Sequence, residues 1–317
     1  PYTTATTLSI PHLMHASRIV EAFEDGMGEP WQQGRPLPGG TRSIEHQIRC
    51  AFRAYAELRL EALPLEPPRP GLDRRDRGRL VHRALELVWN ELRDSVRLAA
   101  GRGPALGRLI GRAVERAVGD LLAENPGEGR ERALRREQRR VARLVAELCE
   151  LEGRRAPFAV VRSETNRTLR FEGATLHVRI DRIDRLDDGT LALLDYKTGG
   201  PQTQDWLGER PSHPQLLVYL LAVDGEVSAV ATAHLATGRV SFRGIADRDG
   251  RLPKVAGLQA AAWPRQLEAW RMLVEQAVRD FLGGRAVRDP IEGACTHCHL
   301  HAVCRIGDAT AWGGDER

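Results

Sequence analysis

Two aspartates and one lysine dominate the chemistry this sequence can offer. Asp181 and Asp195 stand 14 positions apart, near the ends of two β-type runs, and Lys197 closes the triplet Asp195-Tyr196-Lys197. Hydrolysing a phosphodiester needs a hard divalent cation, an activated water and positive charge near the attacked phosphate. Two carboxylates on neighbouring strands can hold Mg²⁺ or Mn²⁺ through oxygen and leave positions for water and substrate. The period-two geometry of a strand puts Asp195 and Lys197 on one face. The ammonium then reaches the polarised water, either to orient it or to help deprotonate it. Lys appears only at Lys197 and Lys254 in a chain that otherwise writes its cations as Arg. A compact charge with a tunable pKa is work that guanidinium cannot do.

A lone D-x-K triplet is weak, since its ordinary meaning is a solvated ion pair at a strand end. Its company carries more. Asp181 lies in Arg179-Ile180-Asp181-Arg182-Ile183-Asp184-Arg185, a dense alternation of carboxylate and guanidinium in which Arg182 and Arg185 suit either phosphate or a salt bridge to Asp184 or Asp187. Gln215 and Tyr219 are spaced i, i+4 on one face of a helix-type segment. Arg77-Gly78-Arg79-Leu80-Val81-His82 opens another helix with a His near its start, and Glu164 on the first strand is a further carboxylate. In this order the four motifs resemble the PD-(D/E)xK nucleases of the RecB/AddB type: Gly78 to His82, Ile180-Asp181, Asp195-Tyr196-Lys197-Thr198-Gly199, and Gln215 to Tyr219. The resemblance implies that His82, Asp181 and Asp195 are metal ligands, that Lys197 is the catalytic lysine, and that Gln215 and Tyr219 border the DNA strand. One departure is Val178, where many relatives carry Gly three residues before the first Asp.

Five Cys in 317 residues do not make a secreted disulfide scaffold. Cys295, Cys298 and Cys304 crowd into the last 25 residues, a spacing that leaves zinc and an iron–sulfur cluster both open, with His297, His299 and His301 as imidazole candidates. Similarity to AddB-type nucleases favours the cluster. Cys50-Ala51-Phe52-Arg53-Ala54-Tyr55 is similar to their upstream cysteine context, and the implied site is a 4Fe–4S cluster on Cys50, Cys295, Cys298 and Cys304. Closing so long a loop would restrict the unfolded chain by about several kcal/mol. Cys149 reads as a buried thiol.

These groups need elements to hold them. Ser43 is expected to cap a helix to about Leu63, helical patterns dominate from 76 to 152, and short β-type runs follow Pro157. Asp187-Asp188-Gly189 marks a tight turn, residues 214–223 return to helix, two more strands follow, and a last helix spans 262–282. The expected fold is α/β: a mixed central sheet flanked by helices, a restriction-endonuclease-like core with a helical insertion and an Fe–S staple. The expected division is an arm or linker at 1–40, a nuclease domain at 41–310 and a tail at 311–317. Within the domain lie a helical insertion (76–152), a catalytic sheet core (157–245) and an Fe–S loop (290–306).

The net charge of +4 fits a polyanionic partner, and no run is apolar and long enough to cross a membrane. The chain opens without an initiator Met or a secretory signal, as a module of a longer protein or a processed chain would. The reading implied is a Mg²⁺- or Mn²⁺-dependent cytoplasmic exonuclease for unwound DNA, in repair and recombination beside a helicase domain or subunit. The alternatives are a free-standing CRISPR-associated-type exonuclease and a non-catalytic Fe–S DNA-binding module.

Overall fold

A computed structural model describes residues 26–32, 34–65, 71–171, 173–199, 207–211, 214–259 and 261–306. Most of the expected arm, part of the proline-rich break and the whole tail lie outside the described residues. Helices α1 (Thr41–Arg49) and α2 (Ala51–Leu58) come first, then α3 (Arg74–Leu92), α4 (Ser95–Ala100), α5 (Pro104–Glu124) and α6 (Glu128–Glu152). Strands β1 (Phe158–Phe171), β2 (Ala174–Leu186) and β3 (Leu191–Lys197) lead to α7 (Gln215–Leu220). Strands β4 (Val227–His234), β5 (Ser241–Ala246) and β6 (Ala256–Gly257), then α8 (Trp263–Leu282) and α9 (His301–Cys304), complete the order.

The six strands form one mixed sheet in sequence order. β1, β2 and β3 pair antiparallel, β3 and β4 run parallel around α7, β4 pairs antiparallel with β5, and β5 runs parallel to β6. Apolar side chains fill both faces. Ala192, Leu194 and Tyr196 of β3 join a core with α3, α5 and α6, while Leu191 and Leu193 join one with α1, α7 and α8. Burial on both faces explains why β3 and β4 read as nearly continuous apolar runs.

Three expectations change. The first helix breaks at Cys50, whose extended backbone (φ −169°) separates α1 from α2; Gly40 stands at the N-cap and Ser43 lies inside α1, its hydroxyl donating to the Pro38 and Gly40 carbonyls. The helix expected over 214–223 is a six-residue turn and a half, Gln215–Leu220. Asp181 is interior to β2, not at its end. β3 pairs only with Arg182–Arg185, so Asp181 sits just past the last pair. There the strand changes phase: Leu176, Val178, Ile180 and then Ile183 all pack into the same core. Val178, the departure from the family pattern, is simply a core side chain.

Candidate metal centre and cleft

Four elements converge on one cleft of about 790 Å³. α3 supplies His82, β1 supplies Glu164, β2 supplies Asp181, and α7 supplies Gln215 and Tyr219 along its lining. Asp195 and Lys197 follow on β3, next to Asp181. Among the described residues, the one group of three or more metal-binding side chains with ligand atoms within 4.8 Å of one another is His82, Glu164 and Asp181. His82 Nδ1 lies 3.0 Å from Glu164 Oε1 and 3.6 Å from Asp181 Oδ1, and Nε2 lies 3.0 Å from the Tyr196 carbonyl oxygen. The Tyr196 N–H donates to Asp181 Oδ2 at 2.8 Å, so the backbone of one β3 residue orients both side chains.

Sequence reasoning gave Glu164 only a minor place, and the structure seats it against His82. Its backbone is left-handed (φ 47°) inside a strand, and the β1–β2 register passes from Ser163–Arg182 to Thr165–Ile180 around it. A non-glycine residue there carries about 1–3 kcal/mol of strain, and such strain gathers at functional sites. Nothing in Ser163-Glu164-Thr165 signals a positive φ, so no sequence pattern announces this carboxylate.

Three carboxylates, Glu164, Asp181 and Asp195, meet three cationic groups here: His82, Lys197 and Arg179, whose guanidinium bonds Glu164 Oε2. Burial and the Asp195 charge push the Asp181 carboxyl up to about 7, against the opposing pull of His82. Burial alone would lower the His82 pKa, but Asp181 and Glu164 outweigh it and carry the imidazole up to about 9. Burial likewise opposes the charge on Lys197, and Asp195 reverses the balance, leaving its pKa raised. Lys197 Nζ lies 2.8 Å from Asp195 Oδ2, off the hydrogen-bonding direction, so that buried oxygen has an ionic neighbour but no hydrogen bond. Three carboxylates, one imidazole and an oxygen without a donor fit a hard divalent cation.

The remaining expected residues form a relay. Lys197 Nζ donates to Gln215 Oε1 at 2.7 Å, and Gln215 Nε2 donates to the Tyr219 hydroxyl at 2.6 Å. Arg182 is not at the cleft. It is fully buried on the opposite face, bidentate to Asp184 (2.7 and 2.8 Å) and bonded to Glu152 at 2.6 Å, which removes it as a phosphate contact. Arg185 is exposed.

Beyond the C-terminal end of α1, Cys50, Cys295, Cys298 and Cys304 line one small cavity with Phe52, Arg53, Pro290, Ala294, His301 and Ile306. Burial raises the thiol pKa values of Cys50 and Cys304. His301 Nε2 faces the Cys295 carbonyl (3.0 Å) and His299 Nε2 the Ala62 carbonyl (2.8 Å). Backbone bonds from Phe52 N to the Val287 carbonyl (2.9 Å) and from Ile291 N to the Arg49 carbonyl (2.9 Å) hold the loop to α1 and α2. Cys149 is buried away from this group, and burial carries its pKa up to about 12.

A family model described as the PD-(D/E)XK nuclease superfamily matches residues 42–305. No curated protein matches the chain. A solved structure described as "Crystal structure of SSO0001" is similar over 83% of this chain and 94% of that one, at 15% identity and a TM-score of 0.24, too weak a likeness to inform fold or function. No helix among the described residues is long and apolar enough to cross a membrane.

Proposed function

The chain belongs to the PD-(D/E)XK nuclease superfamily, a family of metal-dependent nucleases, and we propose that it is a Mg²⁺- or Mn²⁺-dependent deoxyribonuclease of the RecB/AddB type. The observation that carries this reading is the meeting of His82, Glu164 and Asp181 within 4.8 Å at the floor of a cleft, beside Asp195 and Lys197. His82, Asp181 and Asp195 would hold the cation, His82 through Nδ1 because its Nε2 faces the Tyr196 carbonyl, and Glu164, beside that same Nδ1, would be a further ligand. When bound, the cation polarises the attacking water and neutralises charge on the phosphate. Lys197, kept protonated by Asp195, donates to the water or to a phosphate oxygen. Gln215 fixes the lysine's direction, and Tyr219 fixes Gln215. The buried floor limits water to the side from which a strand enters.

The finer reading is an exonuclease acting on unwound DNA in repair and recombination, in the cytoplasm beside a helicase domain or subunit. The second part of the proposal is a 4Fe–4S cluster on Cys50, Cys295, Cys298 and Cys304. What supports it is that all four thiols border one cavity. Its role would be structural, tying the break after α1 to the C-terminal loop.

Anaerobically purified protein should cleave an end-labelled single-stranded oligonucleotide only with Mg²⁺ or Mn²⁺. It should carry about four irons per chain, lost with Cys50→Ala and kept with Cys149→Ala. Cleavage in EDTA, or zinc without iron, would reject the respective parts.

A further inference from the structure

Residues Arg79, His82, Arg83 and Glu86 lie at i, i+3, i+4 and i+7 on α3, one face of the helix, and all four line the cleft. The two arginines therefore flank the His82 side chain, one turn apart. The opposite bank belongs to α5, whose Asp120, Leu121 and Glu124 line the same cleft. Across the gap Arg79 pairs with Glu124, and Arg83 pairs with Asp120 at 2.7 Å while also bonding Glu86 of its own helix at 2.7 Å.

These bridges are not what holds the helices together. α3 and α5 share an apolar core through Val81, Ala84, Leu85 and Val88 against Ile110, Ala113, Val114 and Ala117. The Arg79–Glu124 pair is about half exposed on both sides, at 49% and 56%. Exposed pairs contribute about 0–1 kcal/mol, so opening them costs little. A guanidinium fork engages a phosphate as well as a carboxylate, often with two parallel bonds. Neither arginine has a part in the metal centre.

We propose that Arg79 and Arg83 form a phosphate-binding wall along the cleft, held by Glu124 and Asp120 until the phosphates of a nucleic-acid strand replace those carboxylates. The proposal rests on the nuclease reading and adds to it the grip on the strand on either side of the attacked phosphate. The two acidic residues keep the guanidiniums extended into the cleft and weaken binding of lone anions.

The test compares wild type with Arg79→Ala/Arg83→Ala, Asp120→Asn/Glu124→Gln, and a control, Arg112→Ala. Arg112 is an exposed α5 arginine paired with Glu91 outside the cleft. Steady-state cleavage of a single-stranded oligonucleotide in Mn²⁺ is paired with fluorescence-anisotropy binding in EDTA across a salt series. The arginine variant should raise KM and Kd at least tenfold with kcat within about threefold. Its log–log salt slope should fall by about 1.4, two phosphates at about 0.7 each for a single strand. The acidic variant should lower KM and Kd severalfold, and the control should match wild type. Unchanged Kd and salt slope in the arginine variant would overturn the wall whether or not the wild type cleaves. Loss of binding in that variant, with a wild type that binds but never cleaves, would support the wall and remove the nuclease reading instead.

Discussion

Two buried charge clusters sit back to back on the same strand pair, and they differ in how their carboxylates are bonded. On the insertion side Arg182 and Arg155 meet Glu152 and Asp184, all four side chains fully buried. The two cations balance the two anions and bond all four carboxylate oxygens, although Arg155 Nε and Nη2 make no hydrogen bond. Arg182 stacks over Trp89 at 3.9 Å and Arg155 over Phe158 at 4.1 Å, so the guanidinium faces are covered as well. On the cleft side Glu164 is bonded by Arg179 and His82, but Asp181 and Asp195 repel each other, and that repulsion appears as a raised Asp181 pKa beside an Asp195 oxygen without a hydrogen bond. Tyr196 touches both clusters: its hydroxyl lies 3.4 Å from Arg182 Nη1, and its backbone holds Asp181 and His82. Burial of charge alone does not mark a functional site. Carboxylates crowded against each other do.

The same substitution on the two sides should have opposite effects. Asp184→Asn removes one anion from a closed network and should cost about 3–5 kcal/mol, as breaking a buried pair does. Asp181→Asn relieves repulsion and should leave the melting temperature of metal-free protein at pH 8 unchanged or higher, while abolishing cleavage. Thermal melts and single-turnover assays check both, and a large loss of stability with Asp181→Asn would erase the distinction.

A smaller effect is expected from Lys197→Arg. An ordinary ion pair tolerates Arg, but the relay to Gln215 needs a compact ammonium. Single-turnover cleavage should fall at least tenfold, about 1.4 kcal/mol in the barrier, with DNA binding retained; wild-type rates would remove the lysine from the mechanism.

The pH dependence separates the clusters next. Folding raises Asp181 from 3.8 to about 7 and His82 from 6.5 to about 9. In both windows the folded state binds more protons than the unfolded one. These groups therefore stabilise metal-free protein at low pH, and the contribution is lost as pH rises through about 7 and then about 9. Melts from pH 5 to 9 should show this decline in EDTA and its reversal in saturating Mn²⁺, since the cation replaces the protons. The smallest change is Tyr196→Phe, which removes one long contact to Arg182 and should cost about 1 kcal/mol or less with metal affinity unaltered, because the backbone groups remain.

Much of this arrangement is legible in the residues. Period-two alternation places Asp195 and Lys197 on one face, and the i, i+4 spacing brings Gln215 to Tyr219. What escapes is phase and local strain. Alternation puts Asp181 and Arg182 on opposite faces, but it cannot say that β2 resets between Ile180 and Ile183. Nor can it anticipate a left-handed Glu164 or a helix broken at Cys50, because both follow from tertiary partners: His82 across the cleft, and the C-terminal cysteines.

Calorimetric titration of Mn²⁺ into metal-free protein at pH 8 tests the central claim most directly, with wild type beside Asp181→Asn in two buffers of different ionisation enthalpy. The crowding of Asp181 against Asp195 predicts one Mn²⁺ per chain at this site, released protons from His82, and no such binding by Asp181→Asn. Equal Mn²⁺ binding by both proteins, or binding without proton release, would contradict it.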